Sequence, residues 1–392
     1  MLTLIKNGEV YIPESLGKKD IAFAAGKIIH IADLIESGSF PLPVEVIDAA
    51  GMLVVPGFID GHVHITGGGG EGGFKTRTPE IRLSDATTAG VTTVVGCLGT
   101  DGIMRSMAVL LAKARALEEE GISTFIYTGS YQVPVRTLTG SIEDDLMIVD
   151  KIIGVGEIAL SDHRSSQPQV EEIAKIAAAA RVAGMLSGKA GIVNIHMGDG
   201  KRMLSLLEEL VDTTEIPYSQ FLPTHIGRNP DLFKAGIGYA KKGGFIDFTT
   251  STTGQFLEEG EVKTSKALRI CLDEGVDAGR ITFSSDGQGS LPEFDAKGHL
   301  KGLTVGTCAS LFREVRDAIL EEKVAIATAL RVVTSTPAAL LKLPGKGRIV
   351  TGCDADLVLL KGDDLSIDTV IARGKVMVRE GAAVCRGVFE PA

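Results

Sequence analysis

No apolar run in this sequence approaches the roughly 18 residues that a membrane-crossing helix needs, and no tract is of low complexity. The opening residues, MLTLIKNGEVYIPES, lack the basic segment, apolar core and small-residue cleavage site of a secretory leader. Cysteine is scarce and scattered: Cys97, Cys271, Cys308, Cys353 and Cys385 are odd in number and never form a C-x-x-C pair. Reduced, buried thiols in a cytoplasmic protein are the expectation. Positive charge is in deficit. A formal net charge of −10, without clustered Lys or Arg, argues against nucleic acid as a partner but leaves room for a local basic pocket that takes a small anion.

What is present is the composition of a packed globular chain, 44% hydrophobic and 23% charged. Its 392 residues suit an α/β barrel of roughly 250 residues with a smaller companion. Short strand patterns fill the start, in LTLIKNGEVYIP, DIAFAAGKIIHIA and VEVIDAAGMLVV, and return at the end in GRIVTGCDADLVLLK and TVIARGKVMVREG. They predict a small β-sandwich domain built from both termini, 1–55 and 344–392, around a (β/α)8 TIM barrel over 56–343. The middle alternates eight apolar, β-branched runs (FIDGHVHI, VTTVVGCLG, STFIYTGSY, GEIALSDH, GIVNIHMG, FLPTHIGR, FIDFTTS, ITFSSDG) with helical stretches such as MAVLLAKARALEEEG and QVEEIAKIAAAARVAG. Near-continuous apolar strands are those of a parallel sheet covered by helices. A doubly wound open sheet is the alternative fold.

The first of these runs lies in VVPGFIDGHVHI, where His62 and His64 stand two residues apart and project to one face of a strand, with Asp60 ahead of them. Later runs end in Glu157, His196, His225 and Asp286. In a barrel these ends form the C-terminal mouth, where active sites are built. Each residue alone has an ordinary structural explanation: a satisfied core histidine, half of an ion pair, a turn former. Together they supply four imidazoles, from a chain with seven histidines, and two carboxylates. That is too many ligands for one tetrahedral zinc and suits two metals sharing a carboxylate and a hydroxide. His163, beside Arg164, is read as a structural histidine supporting the ligands, and His30 and His299 receive no role.

The H-x-H strand within PGFIDGHVH, His196, His225, Asp286 and the DADLVLL segment resemble the amidohydrolase superfamily. Within it, GGGGEGG, TRTPE, GVTTVVGCLGTD, TGSYQVPVRTLTGS, SDHRS, PTHIGRN and SSDGQGS are similar to isoaspartyl dipeptidases, bacterial zinc enzymes that hydrolyse β-aspartyl dipeptides. The resemblance implies two Zn2+ per chain held by His62, His64, Glu157, His196, His225 and Asp286, with His62 and His64 on the more buried ion and Glu157 bridging with a hydroxide. It implies that Glu71 receives the substrate α-amino group and that Arg164 and Arg228 hold the carboxylate of the departing residue, as forked guanidinium groups can. Thr100 and Ser290, with the backbone of the glycine loop at Gly69, meet the other carboxylate. Tyr131 stabilises the oxyanion, and Asp286 takes a proton from the bridging hydroxide and passes it to the leaving amine.

The resemblance also implies a homo-oligomer, octameric in the family, whose partner is a small dipeptide and not a membrane or nucleic acid. One departure stands out. The best-known isoaspartyl dipeptidases carry a carboxylated lysine on the fourth strand, where this sequence has Glu157. A site assembled without bicarbonate is expected, with one or two ions left open by the shorter stem, and with zinc, cobalt, manganese and iron all compatible with the ligands. Other amidohydrolase activities remain alternatives: deacylation of an N-acyl amino acid, or opening of a cyclic amide as in dihydroorotase and hydantoinase relatives. Glu71, Arg164 and Arg228 would separate them, since a cyclic amide lacks the free amine that Glu71 would bind. A non-catalytic assembly protein on the same barrel is a third possibility, one in which metal ligands are typically lost.

Overall fold

The computed structural model describes residues 2–41, 43–294 and 300–391, so His299 lies outside the described residues. Five strands open the chain: β1 (Leu2–Tyr11), β2 (Ser15–Ala24), β3 (Lys27–Ala32), β4 (Val44–Asp48) and β5 (Met52–Pro56). Eight more follow in alternation with helices: β6 (Phe58–Val63), β7 (Val91–Gly96), β8 (Ser123–Thr128), β9 (Ile152–Leu160), β10 (Ile192–Met197), β11 (Phe221–Thr224), β12 (Ile246–Thr249) and β13 (Ile281–Ser284). A hairpin, β14 (Ser290–Phe294) and β15 (Leu300–Val305), precedes the last strands, β16 (Leu357–Lys361), β17 (Ile367–Ala372), β18 (Lys375–Arg379) and β19 (Ala382–Ala383).

Strands β6 to β11 pair in parallel in chain order, and β12 pairs in parallel with β13. Backbone hydrogen bonds close the two seams. Ile226 N donates to Asp247 O (3.2 Å) between β11 and β12, and Asp286 N donates to His62 O (3.1 Å) and His64 N to Gly287 O (2.9 Å) between β13 and β6. The curled ring excludes the open doubly wound sheet. Its strands are buried on both faces, which is why their sequences read as continuous apolar runs rather than alternating ones. The barrel interior is packed: Ile59, Val95, Tyr127, Ile153, Ile192 and Leu222 meet Ala338, Leu341 and Leu343, supplied by the helix Ser335–Leu340 and the residues after it. With one end filled, the open end is where side chains can face a ligand.

The terminal strands form one further sheet, in the order β19-β18-β17-β16-β5-β1-β2-β3 with β4 also on β1. It curls on itself. Ala355 N donates to Gly26 O (2.8 Å) and Ile28 N to Cys353 O (2.9 Å), so strands distant in the sheet order enclose one core of Ile5, Val10, Ile21, Phe23, Ile28, Leu357 and Ile371. The expected sandwich core is thus walled by a continuous sheet built from both ends of the chain. At Gly26, φ is +78° and an added Cβ would stand 3.1 Å from Arg373 O, so this crossing needs glycine.

The hairpin β14–β15 was not anticipated from sequence; Ser290 pairs with Val305, and Leu291, Pro292 and Leu303 line the cavity at the barrel mouth. No helix among the described residues is long and apolar enough to cross a membrane.

Candidate active site

Five of the eight barrel strands bring the polar ends together. His62 lies on β6 with His64 one residue past its end, Glu157 lies on β9, His196 on β10, and His225 and Asp286 follow β11 and β13. His225 (φ +63°) and Asp286 (φ +52°) sit in the left-handed region, a conformation that costs an L-residue on the order of 1 kcal/mol. Both are turned at the strand end, where the chain leaves the barrel wall.

Glu157 is at the centre and fully buried. Its Oε2 lies 3.3 Å from His62 Nε2, 3.2 Å from His196 Nδ1 and 3.8 Å from His225 Nε2, while Oε1 lies 3.5 Å from His64 Nε2. Asp286 Oδ1 is 3.0 Å from His64 Nε2 and 3.7 Å from His62 Nε2. Although buried, both ring nitrogens of His62, Glu157 Oε1 and Asp286 Oδ1 have no hydrogen-bond partner among the described residues. Four unsatisfied atoms so close together would be costly unless something else satisfies them. Imidazole nitrogens and carboxylate oxygens share one such solution, a divalent cation. Two overlapping groups of potential ligands meet at Glu157, one with His62, His64 and Cys97 and the other with His196 and His225.

Electrostatics agree with that donor set. Burial disfavours charge on Glu157, yet the adjacent His62, His196 and His225 rings hold its carboxyl well below the usual range. Burial, helped by His196, pushes His225 down to about 3, so at neutral pH the ring is uncharged and keeps a lone pair for a cation. Burial and then Glu157 drive the Tyr131 hydroxyl far up, so it remains a hydrogen-bond donor.

Beside this cluster lies a cavity of about 710 Å³. Its wall carries His64, His196, His225, Asp286 and every other residue singled out from sequence: Gly69, Glu71, Thr100, Tyr131, Arg164, Arg228 and Ser290. His62 and Glu157 lie beneath it. Tyr131 OH is 2.8 Å from His196 Nδ1, and the Arg164 guanidinium sits 5.3 Å from the Tyr131 ring centroid. Glu71 Oε1 accepts from Thr100 Oγ1 (2.8 Å) and Arg164 Nη1 (3.2 Å). Gly69, at φ +68°, approaches so closely that an added Cβ would stand 2.9 Å from Ser290 Cβ.

Three contacts were not read from sequence. Asp162 Oδ2 lies 3.1 Å from His196 Nε2 and 2.7 Å from Arg164 Nη2. Its neighbour His163, expected to support the ligands from behind, is instead exposed at the cavity rim. The supporting position and the exposed one are consecutive along a turn, and only the folded loop decides between them. Cys97, read simply as a buried thiol, has Sγ 3.7 Å from His64 Nδ1, and Thr249 Oγ1 on β12 is 2.5 Å from His225 Nδ1. Each contact meets a ring nitrogen whose partner nitrogen faces Glu157, which orients the ring.

Residues 53–377 match the sequence model of the Amidohydrolase family. The whole chain is similar to the β-aspartyl dipeptidase of the thermophilic keratin degrader Fervidobacterium islandicum AW-1 in complex with β-Asp-Leu dipeptide. That likeness has a TM-score of 0.92 and 49% identity over 98% of this chain and 97% of that one. A second structure of β-aspartyl dipeptidase from the same organism gives a TM-score of 0.89 and 47% identity, covering 98% of both chains. An allantoinase of Desulfitobacterium hafniense (strain Y51) is 48% identical over 61 residues, which are 16% of this chain and 13% of that protein. The chain therefore spans only a small part of that relative's length.

Proposed function

The chain belongs to the amidohydrolase family, and from that premise we propose that it hydrolyses the isopeptide bond of β-aspartyl dipeptides with the help of bound zinc. The observation that carries this reading is the adjacency, in one cavity, of an anion (Glu71), two guanidinium groups (Arg164 and Arg228) and the imidazole–carboxylate cluster. A β-aspartyl dipeptide carries an ammonium, two carboxylates and one scissile amide, and each has a counterpart there. Likeness over nearly the full chain to a dipeptidase that holds β-Asp-Leu supports the same substrate class.

His62, His64, Glu157 and Asp286 would hold one zinc ion, and His196 and His225 a second, with Glu157 shared between them. When bound, such ions acidify a water and polarise a carbonyl. Asp286 accepts the proton of the attacking water on its carboxylate and returns it to the leaving nitrogen, which departs as an amine. Tyr131 donates its hydroxyl hydrogen to the carbonyl oxygen as negative charge develops there. Glu71 receives the α-ammonium, while Thr100, Ser290 and the backbone at Gly69 receive the α-carboxylate of the aspartyl residue. Arg164 and Arg228 fork onto the carboxylate of the residue that leaves. The reading extends to a cytoplasmic homo-oligomer in which the barrel is residues 56–343.

The test is the metal content per chain, measured together with hydrolysis of β-Asp-Leu and α-Asp-Leu by protein prepared without added bicarbonate. About two ions and cleavage of the β-linked peptide alone are expected. Two ions with no cleavage of either peptide would reject the dipeptide substrate and leave a cyclic amide or an N-acyl amino acid.

A further inference from the structure

His196 uses its two ring nitrogens in opposite directions. Nδ1 faces Glu157 Oε2 (3.2 Å) and Tyr131 OH (2.8 Å), and Nε2 faces Asp162 Oδ2 (3.1 Å). Asp162 is occupied on both oxygens. Oδ1 accepts from the Arg164 backbone N (2.7 Å) and from Arg164 Nε (2.9 Å), while Oδ2 accepts from Arg164 Nη2 (2.7 Å) and lies 3.9 Å from Arg228 Nη1. Its side chain is only 3% exposed.

We propose that Asp162 is a positioning residue that fixes, through one carboxylate, both the ring of His196 and the guanidinium groups of Arg164 and Arg228. A carboxylate facing Nε2 selects the tautomer with hydrogen on Nε2, which leaves the Nδ1 lone pair directed at Glu157 and makes that nitrogen a better ligand. The same carboxylate grips the Nε–Nη2 edge of Arg164. Nη1 is left pointing to Glu71 and the cavity. Arg228, at 3.9 Å, shares the same counter-charge, so two neighbouring guanidinium groups are held together without leaving two unbalanced charges in a half-buried wall. The length of the side chain matters: an aspartate can bond the backbone N two residues on, and this turn anchors the carboxylate before any substrate arrives.

Only the arginine half of this proposal rests on the dipeptidase reading; the His196 half does not. The experiment uses the full zinc-loaded chain and two variants, Asp162→Ala and Asp162→Asn, with circular dichroism to establish that each folds. Two quantities are read: zinc retained on dialysis against graded chelator, and KM and kcat for β-Asp-Leu. Asp162→Ala removes the acceptor for Nε2–H and should weaken zinc retention about 10- to 100-fold. Asp162→Asn keeps an oxygen acceptor but no charge, so zinc should be retained nearly as in the unaltered chain. In both variants KM should rise about tenfold or more, with a smaller change in kcat, because a charge-assisted hydrogen bond that aims Arg164 is lost. Unchanged zinc retention in Asp162→Ala overturns the proposal, as does unchanged KM in both variants. If the unaltered chain fails to cleave β-Asp-Leu, the dipeptidase reading falls, and zinc retention alone decides the role of Asp162.

Discussion

Glu71 and Arg164, 93 positions apart in sequence, meet at 3.2 Å between Oε1 and Nη1 on the wall of the cavity. The anion proposed to receive a substrate ammonium is therefore already paired with a cation of the protein, and with the Thr100 hydroxyl on the same oxygen. Under the proposed reading, an arriving ammonium would replace Nη1 at Glu71 and free that donor for the substrate's own carboxylate. Glu71→Gln removes the charge and keeps the shape. It should lower kcat/KM for β-Asp-Leu by about 100-fold, mostly through KM, the loss expected for one charge-assisted contact. Steady-state kinetics that match the unaltered chain would remove Glu71 from ammonium recognition.

Tyr131→Phe deletes a single hydroxyl in a buried position, next to His196. A donor aimed at a developing oxyanion is worth about 100- to 1,000-fold in kcat. The expected outcome is a kcat decrease of that order with KM little altered. A change confined to KM would assign Tyr131 to binding only.

Chelation should abolish turnover, and zinc without bicarbonate should restore it, because Glu157 brings its own carboxylate. Glu157→Gln leaves an amide where both groups of ligands meet, and bound metal per chain should fall sharply in elemental analysis. Reactivation that needs bicarbonate would contradict the shared role given to Glu157.

Gly99 offers a test that substitutes no proposed ligand. A Cβ there would stand 2.8 Å from His64 Cε1 and 3.3 Å from Glu157 Oε1. Gly99→Ala should displace both side chains, lowering metal affinity while leaving far-UV circular dichroism unchanged. Full metal content in this variant would show that the ligands tolerate the intrusion.

Glu261, on the cavity wall, gives a pH signature. Burial outweighs its hydrogen bond from Thr252 and the nearby Arg228, and pushes its carboxyl up to about 7, above its ordinary 4.5. The folded state therefore binds more protons than the unfolded state between those values, and the stability this contributes is full below about 4.5 and lost as pH rises through about 7. In denaturant titrations at pH 5 and pH 8, Glu261→Gln should remove up to about 3 kcal/mol of the pH-dependent loss shown by the unaltered chain. Identical pH slopes for the two proteins would refute the assignment.

The barrel was legible because a strand buried on both faces has nowhere to place alternating polar residues, so the runs stood out as apolar and most ended visibly at a polar mouth residue. The helix Pro230–Lys241 was harder to see, since glycines dilute its apolar periodicity. Gly236 has a packing reason: a Cβ there would lie 2.3 Å from Ile226 Cγ2. Asp162 was equally hidden, because SDHRS is polar throughout and nothing local says which side chain turns toward His196. The hairpin at Ser290–Phe294 and Leu300–Val305 carries Pro292 and Gly302, residues that weaken a strand pattern. Residues selected by strand position were thus readable from the pattern, those on loops only where the family resemblance marked them, and Asp162, marked by neither, was not.

The curled terminal sheet sets an order of assembly. Strand β5 is covered on one edge by β16, with Leu53 opposite Leu360 and Val55 opposite Val358. During synthesis all eight barrel strands precede β16, so the barrel can close while that edge of β5 is still bare. An uncovered apolar strand is a template for intermolecular pairing. The final segment of the chain is therefore the fastening that ends this exposure, and premature termination after the barrel would leave a molecule prone to aggregate through β5.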